Sequence, residues 1–195
     1  RKDEFIEVYN NGLTDIDISG WTLRAVTNVL YAFAPGTILT GETAVVVFGG
    51  VDANAPNGGI TGVFGGSQVL VSVPDWAPGL SNGGTDVNIR NDAGLLIRSF
   101  NYSGIGVDDQ SITRDPDITG DFEAHSTADG SGFTLYSPGT FINGLPFPGS
   151  KLSNVPPSLA ALQPTLARIG EGAVVNISAS DPNSDPITLT VSNAP

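Results

Sequence analysis

The chain has 195 residues, 39% of them apolar, with 25 Gly, 14 Pro and a formal net charge of −12. That is room for one generous domain, or for one domain and a fragment, and the Gly and Pro content favours many short strands over helices. The charge argues against nucleic acid and anionic lipid as direct partners, the absence of Cys excludes disulfides and thiolate metal sites, and no apolar run approaches the ~18 residues of a membrane span.

The remaining electrostatic choices are cations, basic surfaces, or plain solubility of an exported protein. There is no Met, so the chain reads as a fragment or processed product, which leaves room for a signal peptide to have been lost upstream.

Taken in order, short apolar or alternating runs predict strands over Glu4–Tyr9, Thr22–Ala25, Ala44–Phe48, Val69–Val73, Asp86–Arg90, Leu95–Tyr102, Ser111–Arg114 and Gly132–Tyr136. Ile6/Val8 and Val87/Ile89 are spaced by two, so each pair shares a sheet face. The turns carry Asn11-Gly12, Asn57-Gly58-Gly59, Asn82-Gly83-Gly84 and Asn91-Asp92-Ala93-Gly94, residues that tolerate positive φ. The last of these joins the clearest hairpin. Gly49 to Gln68 reads as one long insertion. Trp21, after Gly20 in a strand, is expected in the core; Trp76, in Pro74-Asp-Trp-Ala-Pro78, is expected as the exposed aromatic and a possible ligand contact. Regularly spaced strands of this kind indicate a sandwich or barrel.

Composition changes at Gly149. Residues 1–149 form the first domain, 150–157 a Pro-containing linker, and 158–195 a partial second β segment. Ser158 to Ile169 could form a turn of helix but for Pro164; Ala173–Ala179 and Ile187–Ser192 read as strands. About 38 residues are too few for an independent core without a staple. The tail is therefore expected to add a strand, Val174–Ala179, to the first sheet or to exchange it with a second copy, making a homo-oligomer.

Four stretches carry a family resemblance: Glu4-Phe-Ile-Glu-Val-Tyr-Asn10; Ile16-Asp-Ile-Ser-Gly-Trp-Thr-Leu23; Pro35-Gly-Thr-Ile-Leu39 with Gly41-Glu-Thr-Ala-Val-Val-Val47; and Leu80-Ser-Asn-Gly-Gly-Thr-Asp-Val-Asn-Ile-Arg90 with Asp92-Ala-Gly94. In order and spacing they resemble the lamin tail domain of bacterial exported type, over about residues 4–143. The resemblance implies an all-β, immunoglobulin-like β-sandwich. Only Arg1-Lys-Asp3 precede the opening strand, where members of the family usually carry one more. The tail resembles the start of a cadherin-like or immunoglobulin-like bacterial repeat, on Asn154-Val-Pro-Pro157, Glu171-Gly172 and Ser180-Asp-Pro-Asn-Ser-Asp-Pro186.

Candidate chemistry is sparse. His125 is the only histidine, and Asp121, His125 and Ser126 lie close in sequence, but triad members converge from separate elements and no Gly-x-Ser-x-Gly elbow is present. A surface-loop histidine is the expectation. No phosphate loop or zinc pattern occurs. Asp108, Asp109, Asp115, Asp117, Asp121, Glu123 and Asp129 crowd one region, as a solvated acidic loop or as oxygen ligands for calcium. Glu171, Asp181, Asn183 and Asp185 are a calcium set by resemblance to cadherin-like repeats; an Asx-turn explains them equally.

The leading expectation is a non-catalytic binding or scaffolding module of a larger exported bacterial protein, secreted or at the cell surface. It would present loops or a sheet edge to a protein or glycan partner. The alternative is an accessory domain of a secreted hydrolase, a nuclease or phosphatase whose catalytic part lies elsewhere. A lamin-like structural role lacks its heptad coiled coil here.

Overall fold

The computed structural model describes residues 3–51, 60, 64–77, 79–105, 109–150, 158–160, 177–180, 187–188 and 190. The chain divides into two units, Arg1–Lys151 and Leu152–Pro195. In the first, the strands are β1 (Phe5–Tyr9), β2 (Ile16–Asp17), β3 (Thr22–Ala25), β4 (Asn28–Ala32), β5 (Ile38–Leu39), β6 (Ala44–Phe48), β7 (Gln68–Val71), β8 (Asp86–Arg90), β9 (Leu96–Asn101), β10 (Ile112–Asp115) and β11 (Asp121–Ala124). The second carries β12 (Ser158–Leu159) paired with β13 (Ala179–Ser180). No α-helix occurs among the described residues, and none of their helices is long and apolar enough to cross a membrane.

Two sheets make an immunoglobulin-like sandwich in the first unit: β1-β6-β7 and β4-β3-β8-β9. Every residue of β6 is buried, because this Ala-Val-Val-Val-Phe strand is central. It pairs antiparallel with β1, Ile6 opposite Val47, and parallel with β7, Val47 opposite Leu70. A strand covered on both faces reads as a continuous apolar run. Val45 and Val47 face the other sheet and meet Leu23, Leu30 and Ile89 in the core. Val46 points the other way, toward the closing segment of the unit. There the Glu7 carboxylate accepts a hydrogen bond from the Gly139 N–H at 2.6 Å, and the Tyr9 and Phe147 rings lie 4.7 Å apart. Gly139 has φ +80°, and a Cβ on it would stand 2.5 Å from the Phe64 carbonyl oxygen, so only glycine fits this crossing.

In the second sheet, β3 pairs with β8, Thr22 opposite Arg90, Leu23 opposite Ile89 and Arg24 opposite Asn88. Alternation then sends Leu23 and Ile89 into the core and Thr22, Arg24, Asn88 and Arg90 to the outer face. The hairpin expected at Asn91–Gly94 joins β8 to β9.

The structure departs from expectation in several places. Gly132–Tyr136 is not a strand; Gly132 and Phe133 both have positive φ and the segment turns. β4 and β11 were not anticipated. The β3–β4 turn is Val26-Thr27, which carries no turn chemistry, so nothing in it announces a hairpin. Trp76 is 4% exposed and belongs to the core, not to the surface where it is expected, whereas Trp21 is half-buried and packs against that core. In the tail, Ala179 pairs with Leu159 of its own unit, and the described residues Ile187 and Thr188 lie in no strand. Residues 161–176, with the first half of the expected Val174–Ala179 strand, lie outside the described residues.

Candidate ligand-binding cleft

Two hairpins build one open cleft on the outer face of the four-stranded sheet. It has a volume of about 270 Å³ and is lined by Arg24, Val26, Thr27, Arg90 and Gly94. Arg24 comes from β3 and Arg90 from the adjacent β8, both half-buried. Each guanidinium is held by uncharged acceptors. Arg24 Nε donates to Thr22 Oγ1 at 3.1 Å and its Nη1 to the Thr27 carbonyl at 3.3 Å, while Arg90 Nη1 donates to the Gly94 carbonyl at 2.9 Å. Among the described residues neither arginine is paired with a carboxylate.

One wall is strained. Val26 has φ +55°, a left-handed conformation that a β-branched residue adopts at a cost. Its surroundings hold it there: the Val26 N–H donates to the Asp86 carbonyl at 2.8 Å, and the Val26 carbonyl accepts from Asn88 Nδ2 at 3.2 Å. A second cleft, of about 110 Å³ beside Thr43, Gln68 and Gly149, has no charged lining residue.

The residues singled out from the sequence fall elsewhere. Trp76 is buried with its indole Nε1 unpartnered among the described residues, so it offers no ligand contact. His125 is 1% exposed, not a surface-loop side chain, because the 3₁₀ turn His125–Thr127 directs it inward. Its Nδ1 lies 2.9 Å from the Thr134 carbonyl and its Nε2 2.8 Å from Ser137 Oγ. A carbonyl only accepts, so in the neutral ring Nδ1 carries the proton and Nε2 accepts from Ser137. Ser126 is not part of this arrangement; its N–H and hydroxyl both donate to Gln110 Oε1. The third group is a main-chain carbonyl, and neither described cleft is lined by His125 or Ser137.

The acidic region serves its own backbone. Asp115 accepts from the Asp129 N–H at 2.8 Å, and Asp117 from the Ile142 N–H at 3.1 Å. Burial raises the Asp117 pKa, with Asp115 adding to the rise and the Ile142 N–H and His125 opposing it. Glu123 is also raised, by desolvation and by Asp115. Burial pushes Glu7 up to about 7, against the Gly139 N–H and with help from Asp117. No group of three or more His, Asp or Glu among the described residues is arranged to hold a metal ion. Asp108, Glu171, Asp181, Asn183 and Asp185 lie outside the described residues.

Sequence reasoning passed over Arg24 and Arg90. The available signal was the alternation Leu23/Arg24/Ala25 and Ile89/Arg90, which places both on the polar face; the register that makes them neighbours is not written in either segment. Residues 1–104 match the Lamin Tail Domain family, short of the residue 143 that the motifs suggested. No curated protein matches the chain.

Proposed function

Because the chain belongs to the lamin tail domain family, we propose that it is a non-catalytic binding module of a larger exported bacterial protein, presenting its four-stranded sheet to a protein partner at the cell surface. The observation that carries this is the edge strand β9. Leu95, Leu96 and Ile97 are consecutive, apolar and exposed (65%, 52% and 41%) at the rim of a sheet whose order, among the described residues, ends on β9. An edge strand with unpaired main-chain groups and apolar side chains is a template for another chain, unless something covers it.

The buried His125–Ser137 pair fits a structural tie better than a nucleophile. A nucleophile needs room beside it for a reacting atom, and a base that substrate can approach. Calcium at Glu171, Asp181, Asn183 and Asp185 is retained on the sequence alone; a melting temperature unchanged by chelator would remove it.

The test uses the full chain, immobilised and probed with arrays of bacterial surface proteins and glycans. A protein partner retained by the wild type and lost on Leu96→Lys supports the reading. Turnover of nitrophenyl esters, phosphodiesters or glycosides that Ser137→Ala abolishes, with no protein retained, overturns it.

A further inference from the structure

We propose that the Arg24–Arg90 cleft binds an extended acidic peptide segment whose carboxylates stand two residues apart. This rests on the reading of the chain as a binding module and names the chemistry of its partner. Four observations converge on it.

The first is charge. The chain carries −12 overall, yet two arginines share one cleft and neither is ion-paired among the described residues; Asp86, the acid diagonal to Arg24, accepts instead from Asn101. In so acidic a protein, side chains of this kind would ordinarily find an acid of their own. The second is spacing. Arg24 stands opposite Asn88 and Arg90 opposite Thr22, so the two arginines are diagonal neighbours across β3 and β8. Diagonal neighbours lie ~7–8 Å apart. Residues i and i+2 of an extended peptide lie on one side ~6.6 Å apart. Two carboxylates in that relation meet the two guanidiniums one to one.

The third is preorganisation. Thr22, Thr27 and Gly94 hold the guanidiniums by one or two N–H groups each, leaving others of the five donors on each arginine for a ligand. A charged fork already held in place loses less entropy on binding. The strained Val26, clamped at both its N–H and its carbonyl, fixes the wall of the same cleft.

The fourth separates a peptide from an acidic polysaccharide. The cleft lining contains no aromatic ring, the usual platform for a sugar face. Its wall residue Val26 and the nearby Val29 are aliphatic and exposed, and suit peptide side chains. A long polyanion would also feel the repulsion of the whole molecule, whereas a short segment feels chiefly the charges within a Debye length of ~8–10 Å.

The experiment is fluorescence anisotropy with the full chain and a labelled peptide, acetyl-Thr-Glu-Val-Glu-Thr, beside its Gln-for-Glu counterpart and polygalacturonate. The acidic peptide should bind, weaken with added salt, and lose tenfold or more in affinity with Arg24→Ala or Arg90→Ala. Arg90→Lys, which keeps the charge but not the fork, should also bind more weakly. The Gln peptide should bind at least tenfold more weakly than the acidic one. Absence of binding, or binding unchanged by both alanine variants, overturns the site. Tighter binding of polygalacturonate than of the peptide overturns it in favour of a glycan. If the arrays yield a protein partner that Arg24→Ala and Arg90→Ala both retain, the module reading stands and this cleft assignment falls.

Discussion

β6 and β9 show two ways for a strand to live in one sandwich. β6 is buried from Ala44 to Phe48, flanked by β1 and β7 and covered on its outer side by the chain around Gly139 and Phe147. Among the described residues β9 ends its sheet, and from Leu96 to Ser99 every residue is exposed. The covering segment lies beyond residue 104, outside the stretch that matches the family, while the four strands of the exposed sheet lie within it. The lesson is that this chain closes the outer side of one sheet with its own C-terminal extension, whereas among the described residues that extension meets the other sheet at Phe100, stacked on Phe122 of β11, and leaves Leu95 to Ile97 exposed. Stability should therefore concentrate in the first layer and recognition in the second.

The largest effect expected from that contrast is in the core. Trp76→Ala should cost ~3–5 kcal/mol in urea unfolding, and Trp21→Ala clearly less. Equal losses would show that the two indoles are not divided between core and rim as described.

Next comes Glu7, under the covering segment. Its folded pKa of about 7 lies above its ordinary value of 4.5, so folding favours the protonated form. The stability this group supplies is complete below pH 4.5 and is lost as pH rises through 7. Glu7→Gln keeps an acceptor for the Gly139 N–H and cannot ionise. The variant should match the wild type near pH 4 and exceed it by up to ~3 kcal/mol at pH 9, an upper limit because part of the residue is exposed. Parallel pH–stability curves would contradict a buried carboxyl at this position.

A smaller change is expected at the cleft wall. Val26→Asn, which tolerates left-handed φ, should stabilise by ~1 kcal/mol, seen as a rise of a few degrees in melting temperature. A fall would mean that the Val26 side chain contributes more by contact than its backbone costs.

The smallest effect is the most diagnostic. Arg24→Ala and Arg90→Ala should each change stability by less than ~0.5 kcal/mol, since both side chains stand on the outer face. A loss above ~2 kcal/mol would place them with the structural residues and end the contrast between the two layers.

Strand class, the β8–β9 hairpin and the strand at Ala44–Phe48 were all legible in the residue pattern, while the central place of that strand came from the sheet order. Period-two alternation, Asn/Gly turns and an unbroken β-branched run are local properties with direct physical meaning. The β3–β4 hairpin was not legible, because Val26-Thr27 adopts its turn only under clamps from Asp86 and Asn88, more than fifty residues away. Trp76 was misplaced for a related reason. Flanking prolines describe the local path of Trp76, but its burial depends on which sheets close over it. His125 likewise looked exposed within its polar segment until Thr134 and Ser137 came round to satisfy both ring nitrogens. The cleft itself belongs wholly to tertiary structure. Alternation alone turned Arg24 and Arg90 outward, but only the pairing of β3 with β8 brought the two guanidiniums, distant in the chain, to one place.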